Sequence, residues 1–81
     1  MIDFDDVMLR VKQFLSTHNT QTKIRDKDIA DFLQLDAQYY AVIKRRKKIP
    51  YESLAYVCNR YHISLNWILL AQKPQYLTTQ A

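Results

Sequence analysis

The sequence predicts an all-α fold of five helices, and three observations carry that expectation. Apolar residues recur at spacings of three and four, capping residues stand ahead of the apolar runs, and glycine is absent while proline occurs only at Pro50 and Pro74. With so few residues suited to tight hairpins, a β architecture is disfavoured. The 81 residues make one domain with a single modest core, too small for a separate catalytic domain. Three Phe, six Tyr and one Trp within a hydrophobic fraction of 48% exceed what a disordered chain carries.

Phe4, Val7, Met8, Val11, Phe14 and Leu15 share one side of a first helix of roughly four turns, with Leu9 on the opposite face. Asp3, Asp5 and Asp6 at its start complement the helix dipole. The polar segment Ser16 to Thr22 breaks the pattern and reads as a loop. A second helix begins near Asp26, whose carboxylate caps it or complements its dipole, and Ile29 and Leu33 form its buried edge with Ala30 between them. Gln34 and Leu35 are left to turn the chain. Asp36 is a good N-cap for a third helix from Ala37 to about Lys44, with Tyr40 and Ile43 facing inward.

Pro50 opens a fourth helix, since proline suits the first turn and disfavours a helical residue before it. Its inward stripe is read as Tyr51, Leu54, Ala55, Cys58 and Tyr61. Ser64 caps a short fifth helix containing Leu65, Trp67, Ile68, Leu69 and Leu70, with Trp67 laid on the core. The folded domain is expected over residues 1–70, followed by a tail over 71–81.

Twelve Lys and Arg against eight Asp and Glu give a net charge of +4, which suits a polyanionic partner. The acids crowd the N-terminus, whereas Lys44, Arg45, Arg46, Lys47 and Lys48 are consecutive. Cys58 is a lone cysteine on an inward stripe, so it reads as a buried hydrophobe and forms no internal disulfide. His18 and His62 are isolated, without metal spacing, and no carboxylate pair suggests hydrolysis. No enzyme activity, metal, cofactor or small-molecule ligand is expected. No apolar stretch approaches the roughly 20 residues that span a bilayer, and acids stand where a signal peptide would be basic and apolar. A soluble, cytoplasmic protein is expected.

Two short helices joined by a tight turn, with small Ala30 in the first and a polar outer face on the second, suit a helix-turn-helix. At about 100° per residue, Gln38, Ala41, Val42 and Arg45 project outward from the second of them, flanked by Tyr39 and Arg46. Gln38 can pair with the N6 and N7 edge of adenine, while Val42, Ala41 or the Tyr39 ring can pack on thymine methyl groups. Arg45 reaches either a guanine or a phosphate. Phosphate contacts are expected from Lys27, Arg45, Arg46, Lys47 and Lys48. About four such contacts give a log K against log salt slope near −4 per subunit.

The stretch Asp26 to Leu70 resembles the phage CI repressor helix-turn-helix family within the lambda repressor-like superfamily. Ile29-Ala30, Leu33, Leu35-Asp36, Tyr40 and Ile43 fall where that family has Leu-Ala, Leu, Val-Ser and two buried apolar positions. Ile49-Pro50-Tyr51-Glu52 and Ile63-Ser64-Leu65-Asn66-Trp67-Ile68-Leu69 are similar to its I-P-Y-E and V-S-L-D-W-L-L segments. The resemblance implies a five-helix lambda repressor-like bundle and a transcriptional repressor that binds a palindromic operator as a dimer. It implies base contacts from Gln38, Tyr39 and Val42, with Ala37 a further outward position that offers only a methyl group. The chain departs from the family at Gln34 and Ala71, where glycine is usual. A left-handed Gln34 costs roughly 1 kcal/mol relative to glycine. Many members carry a further C-terminal domain, so the expectation is either a Cro-like stand-alone protein or a piece of a longer one.

Leu9, Leu69, Leu70, Tyr76 and Leu77 are apolar residues in surplus once one core is filled. By analogy with the family, helix five and the tail carry a homodimer interface through Leu69, Leu70, Tyr76 and Leu77. The alternative is that the tail folds back over the core. Two other functions remain open: a repressor-like protein-protein interaction module of anti-repressor type, binding through Tyr39, Val42 and the surplus leucines, and an antitoxin that binds its toxin with the tail and DNA with the helix.

Overall fold

A computed structural model describes residues 2–18 and 23–77, and five helices occupy most of them. In chain order they are α1 (Phe4–His18), α2 (Asp26–Phe32), α3 (Ala37–Arg46), α4 (Tyr51–Tyr61) and α5 (Leu65–Leu70). No strand occurs among the described residues; the nearest thing to one is a single antiparallel bridge between Ile63 and Tyr76. No helix among them is long and apolar enough to cross a membrane.

Asp3 starts α1, its Oδ2 accepting the Asp6 N–H at 3.0 Å. Phe4, Val7, Met8, Val11, Phe14 and Leu15 are all buried, while Leu9 on the far side is 56% exposed. The helix continues through Ser16, Thr17 and His18, which the sequence had suggested were loop. The hydroxyls of Ser16 and Thr17 donate to the Gln13 carbonyl at 3.2 and 2.9 Å, so their polarity is absorbed by the helix's own backbone. The rest of that expected loop, 19–22, lies outside the described residues.

Asp26 is the first residue of α2 and not its cap: Arg25 holds the extended N-cap position. The Arg25 N–H donates to Oδ2 of Asp28 at 2.9 Å, so the carboxylate three residues on satisfies the entry to the helix. Ile29, Ala30 and Leu33 are buried as the spacing predicts. The chain then reverses: Gln34 N–H donates to the Asp31 carbonyl at 3.1 Å and Leu35 N–H to the Ala30 carbonyl at 2.8 Å. This pair of bonds requires a left-handed residue between them, and Gln34 supplies it at φ 59°.

The same closure recurs without glycine at the other helix ends: Lys47, His62 and Ala71 have φ of 56°, 57° and 59°. A non-glycine residue there costs roughly 1 kcal/mol, which the packed domain absorbs. Asp36 caps α3, its side chain accepting the Tyr39 N–H at 3.4 Å, and the helix runs two residues past Lys44. Tyr40 and Ile43 are each 2% exposed, which seats α3 on the core.

The face of α4 differs from the expected stripe. Leu54, Val57 and Cys58 are buried, whereas Tyr51 and Tyr61 are 53% and 41% exposed and Ala55 is also exposed. Apolar residues occur on nearly every side of this helix, so helical spacing alone did not choose between faces. Tyr61 instead stands at the rim, its ring centroid 5.6 Å from Phe14 and 5.5 Å from Phe32. Trp67 is likewise only partly buried, and Ile68 is the core residue of α5.

Ser64 caps α5 as its position predicts, accepting the Trp67 N–H at 3.3 Å. At the other end Arg10 of α1 donates through Nε to the Ile68 carbonyl at 2.8 Å and through Nη2 to the Leu69 carbonyl at 3.0 Å. These two charge-assisted bonds satisfy carbonyls that a helix C-terminus leaves open and tie the first helix to the last. After Pro74 the chain folds back: Ser64 N–H donates to Gln75 and Leu77 N–H to His62, at 2.8 and 2.7 Å. Residues 75–77 therefore pair with the segment joining α4 to α5, while Tyr76 and Leu77 keep exposed side chains.

Candidate nucleic-acid interface

The outer side of α3 follows from the depth of its inner side. Because Tyr40 and Ile43 are locked into the core, positions two or so removed in either direction turn to solvent. Ala37, Gln38, Ala41 and Arg45 are exposed, Tyr39 is 49% exposed and Val42 is half-buried. The structure thus exposes Ala37, Gln38 and Tyr39 in the first turn of α3, with half-buried Val42 one turn after Gln38. Gln38 has no side-chain hydrogen bond among the described residues, so its amide is free to donate and accept.

The cations at the exit of α3 fall into two sets. Lys44 donates to Oδ2 of Asp26 at 2.6 Å, and Lys47 to both carboxylate oxygens of Asp5 at 2.8 and 3.0 Å. The Lys47 Nζ also lies 5.8 Å from the centroid of the Phe4 ring. Arg45, Arg46 and Lys48 are exposed and carry no ion pair among the described residues, and the same holds for Lys27 in the first turn of α2. Sequence reading placed Lys47 with the phosphate-facing cations and did not anticipate its acidic partner. Asp5 lies 42 residues away, and helical periodicity carries no information across that distance.

Tyr39 borders a shallow depression of about 380 Å³ whose other walls include Leu35, Lys48, Ile49, Pro50 and Tyr51. Two exposed tyrosine rings therefore flank the point where the chain leaves α3. Tyr51, read from sequence as core, is a surface residue beside this helix.

The two perturbed titrating groups are buried and not part of this surface. The Tyr40 phenol is pushed up to about 12 by burial first, then by the carboxylates of Asp26 and Asp5. Burial pushes the Cys58 thiol up to about 11, which disfavours the nucleophilic thiolate. No group of three or more His, Cys, Asp or Glu side chains among the described residues is arranged to hold a metal ion.

The residues expected to form a dimer interface are only partly covered. Leu69 is partly buried, while Leu70, Tyr76 and Leu77 are 49%, 40% and 52% exposed. The Tyr76 ring centroid stands 6.4 Å from that of Phe14, so part of that ring serves the fold. Compared with family models, curated proteins and solved structures, the chain matches none.

Proposed function

We propose that this chain is a sequence-specific DNA-binding transcriptional regulator of the phage repressor type, with α2, the turn at 33–36 and α3 acting as a helix-turn-helix. The observation that carries the reading is the outer side of α3: an unpartnered Gln38 with Ala37, Tyr39 and Val42, followed directly by Arg45, Arg46 and Lys48, none of them ion-paired. A surface of this kind offers base-edge contacts at one end of a helix and phosphate contacts at the other. The resemblance to the phage CI repressor family adds support at two positions of departure. Gln34 and Ala71, where that family has glycine, both adopt the left-handed conformation that glycine favours.

In this reading α3 enters the major groove. Gln38 reads adenine, Val42 and Tyr39 pack on thymine methyl groups, and Ala37 adds a methyl contact. Lys27, Arg45, Arg46 and Lys48 engage phosphates, and four such contacts give a salt slope of about −3.6 per subunit. The exposed Leu70 and Leu77 join two copies as a homodimer on a palindromic operator, with recognition helices about 34 Å apart.

Gln38→Ala is expected to abolish discrimination at one base position, worth about 1–3 kcal/mol, whereas Lys48→Ala weakens all duplexes alike. Equal loss on every sequence from Gln38→Ala would remove that side chain from base readout. The exposed Tyr39 and Tyr51 rings around their depression favour a second reading, a protein-protein interaction module of anti-repressor or antitoxin type. That reading predicts a protein partner whose binding is indifferent to Lys48 and to salt.

A further inference from the structure

The run Lys44 to Lys48 does not present five equivalent charges. Lys47 stands between Arg46 and Lys48, yet both oxygens of Asp5 accept from its ammonium and the Phe4 ring lies beside it. Its backbone is held as well, left-handed at φ 56°, with Lys47 N–H bonded to the Lys44 carbonyl and Lys48 N–H to that of Ile43. Asp5 in turn sits in the first turn of α1, where the positive end of the helix dipole favours a carboxylate. Both side chains are more than half exposed, so the pair contributes little to stability and acts chiefly on the local field.

Resting on the DNA-binding reading above, we propose that Asp5 sets the sequence-independent affinity of that surface for duplex. Its carboxylate neutralises Lys47 in the middle of the cationic run and so holds down sequence-independent attraction to phosphate, leaving the base-facing residues of α3 untouched. A phosphate contact strengthens operator and random duplex alike, and random sites vastly outnumber operators. One masked cation therefore lowers affinity for operator and random duplex by the same factor and leaves the ratio between them unchanged. If Lys47 swings away, the carboxylate stays on α1 and repels the incoming phosphate. Lys44 makes the comparable pair with Asp26, but it lies within α3, one turn after buried Tyr40, whereas Lys47 stands past the end of the helix beside Lys48. For Asp5 to act in this way, releasing Lys44 must add no phosphate contact.

The test compares parent, D5N, D26N and D5N/K47M on a random-sequence duplex over a salt series, with a thermal melt of each. D5N is expected to steepen the log K against log salt slope by about 0.9, close to eight-fold per decade of salt, with no rise in the operator-to-random ratio. D26N, which changes the net charge by the same amount, keeps the parent slope, and D5N/K47M returns to it. A parent-like slope in a folded D5N overturns the proposal. So does equal steepening in D26N, which marks a net-charge effect, or a gain that persists in D5N/K47M. Failure of the parent itself to bind duplex at low salt overturns the DNA-binding reading along with it, and is distinguishable because it precedes any difference among variants.

Discussion

Replacing Gln34 by glycine should stabilise the domain, although glycine usually weakens a structured position. Gln34 sits at φ 59°, where a side chain costs roughly 1–2 kcal/mol through the clash of Cβ with the neighbouring carbonyl. Glycine removes that cost but gives the unfolded chain more freedom, a penalty of about 0.4–1 kcal/mol. The exposed glutamine side chain makes no hydrogen bond among the described residues, so its loss removes nothing else. The net gain is about 0–1.6 kcal/mol, centred on ~0.8 kcal/mol. With a urea dependence near 1 kcal/mol per molar, as small domains show, the unfolding midpoint rises by roughly 0.8 M. Ala71→Gly, at the same φ, should move the midpoint in the same direction. A lower midpoint for Gln34→Gly would mean that the turn between α2 and α3 is not left-handed, and the presentation of α3 derived from it would fall.

Two further perturbations probe what holds the bundle together. Arg10→Met removes both charge-assisted bonds to the end of α5 and should cost about 2 kcal/mol, or roughly 8–16 °C in Tm, measured by thermal melting. A shift of only a degree or two would show those bonds to be dispensable. Tyr40 has a higher pKa folded than unfolded, so the stability contributed by its neutral phenol is complete below about pH 10 and is lost as pH rises through about 12. Parent protein should lose on the order of 2–3 kcal/mol more than Tyr40→Phe across that window in urea titrations. Parallel alkaline profiles of the two proteins would contradict the burial of that hydroxyl.

Much of the fold was legible because helices announce themselves locally. Asp36 and Ser64 cap the helices they precede, Pro50 stands immediately before α4, and Ile29, Ala30, Leu33, Tyr40 and Ile43 are buried where their spacing places them. The outward side of α3 was readable for the same reason, since it is the complement of two buried residues, Tyr40 and Ile43, within a helix of fewer than three turns. Less legible was α4, where tyrosines tolerate both core and rim, so the stripe through Tyr51, Ala55 and Tyr61 was preferred and Val57 missed. The resemblance pointed to Gln34 and Ala71 as left-handed positions, but a composition without glycine gave no hint of the other two, Lys47 and His62, where tertiary packing and paired backbone bonds impose that conformation. The bonds from Arg10 to α5 and from Lys47 to Asp5 span 58 or 59 and 42 residues, and only the assembled fold brings those groups together.

Selection of bound sites from a random duplex library tests the central claim most directly, because one consensus reports base readout and symmetry at once. The account predicts an enriched palindrome with A·T pairs opposite Gln38 and Val42, half-sites separated by about 10 base pairs or a multiple, and loss of one conserved position with Gln38→Ala. A pool that stays random at moderate salt, while the protein remains folded, would contradict it.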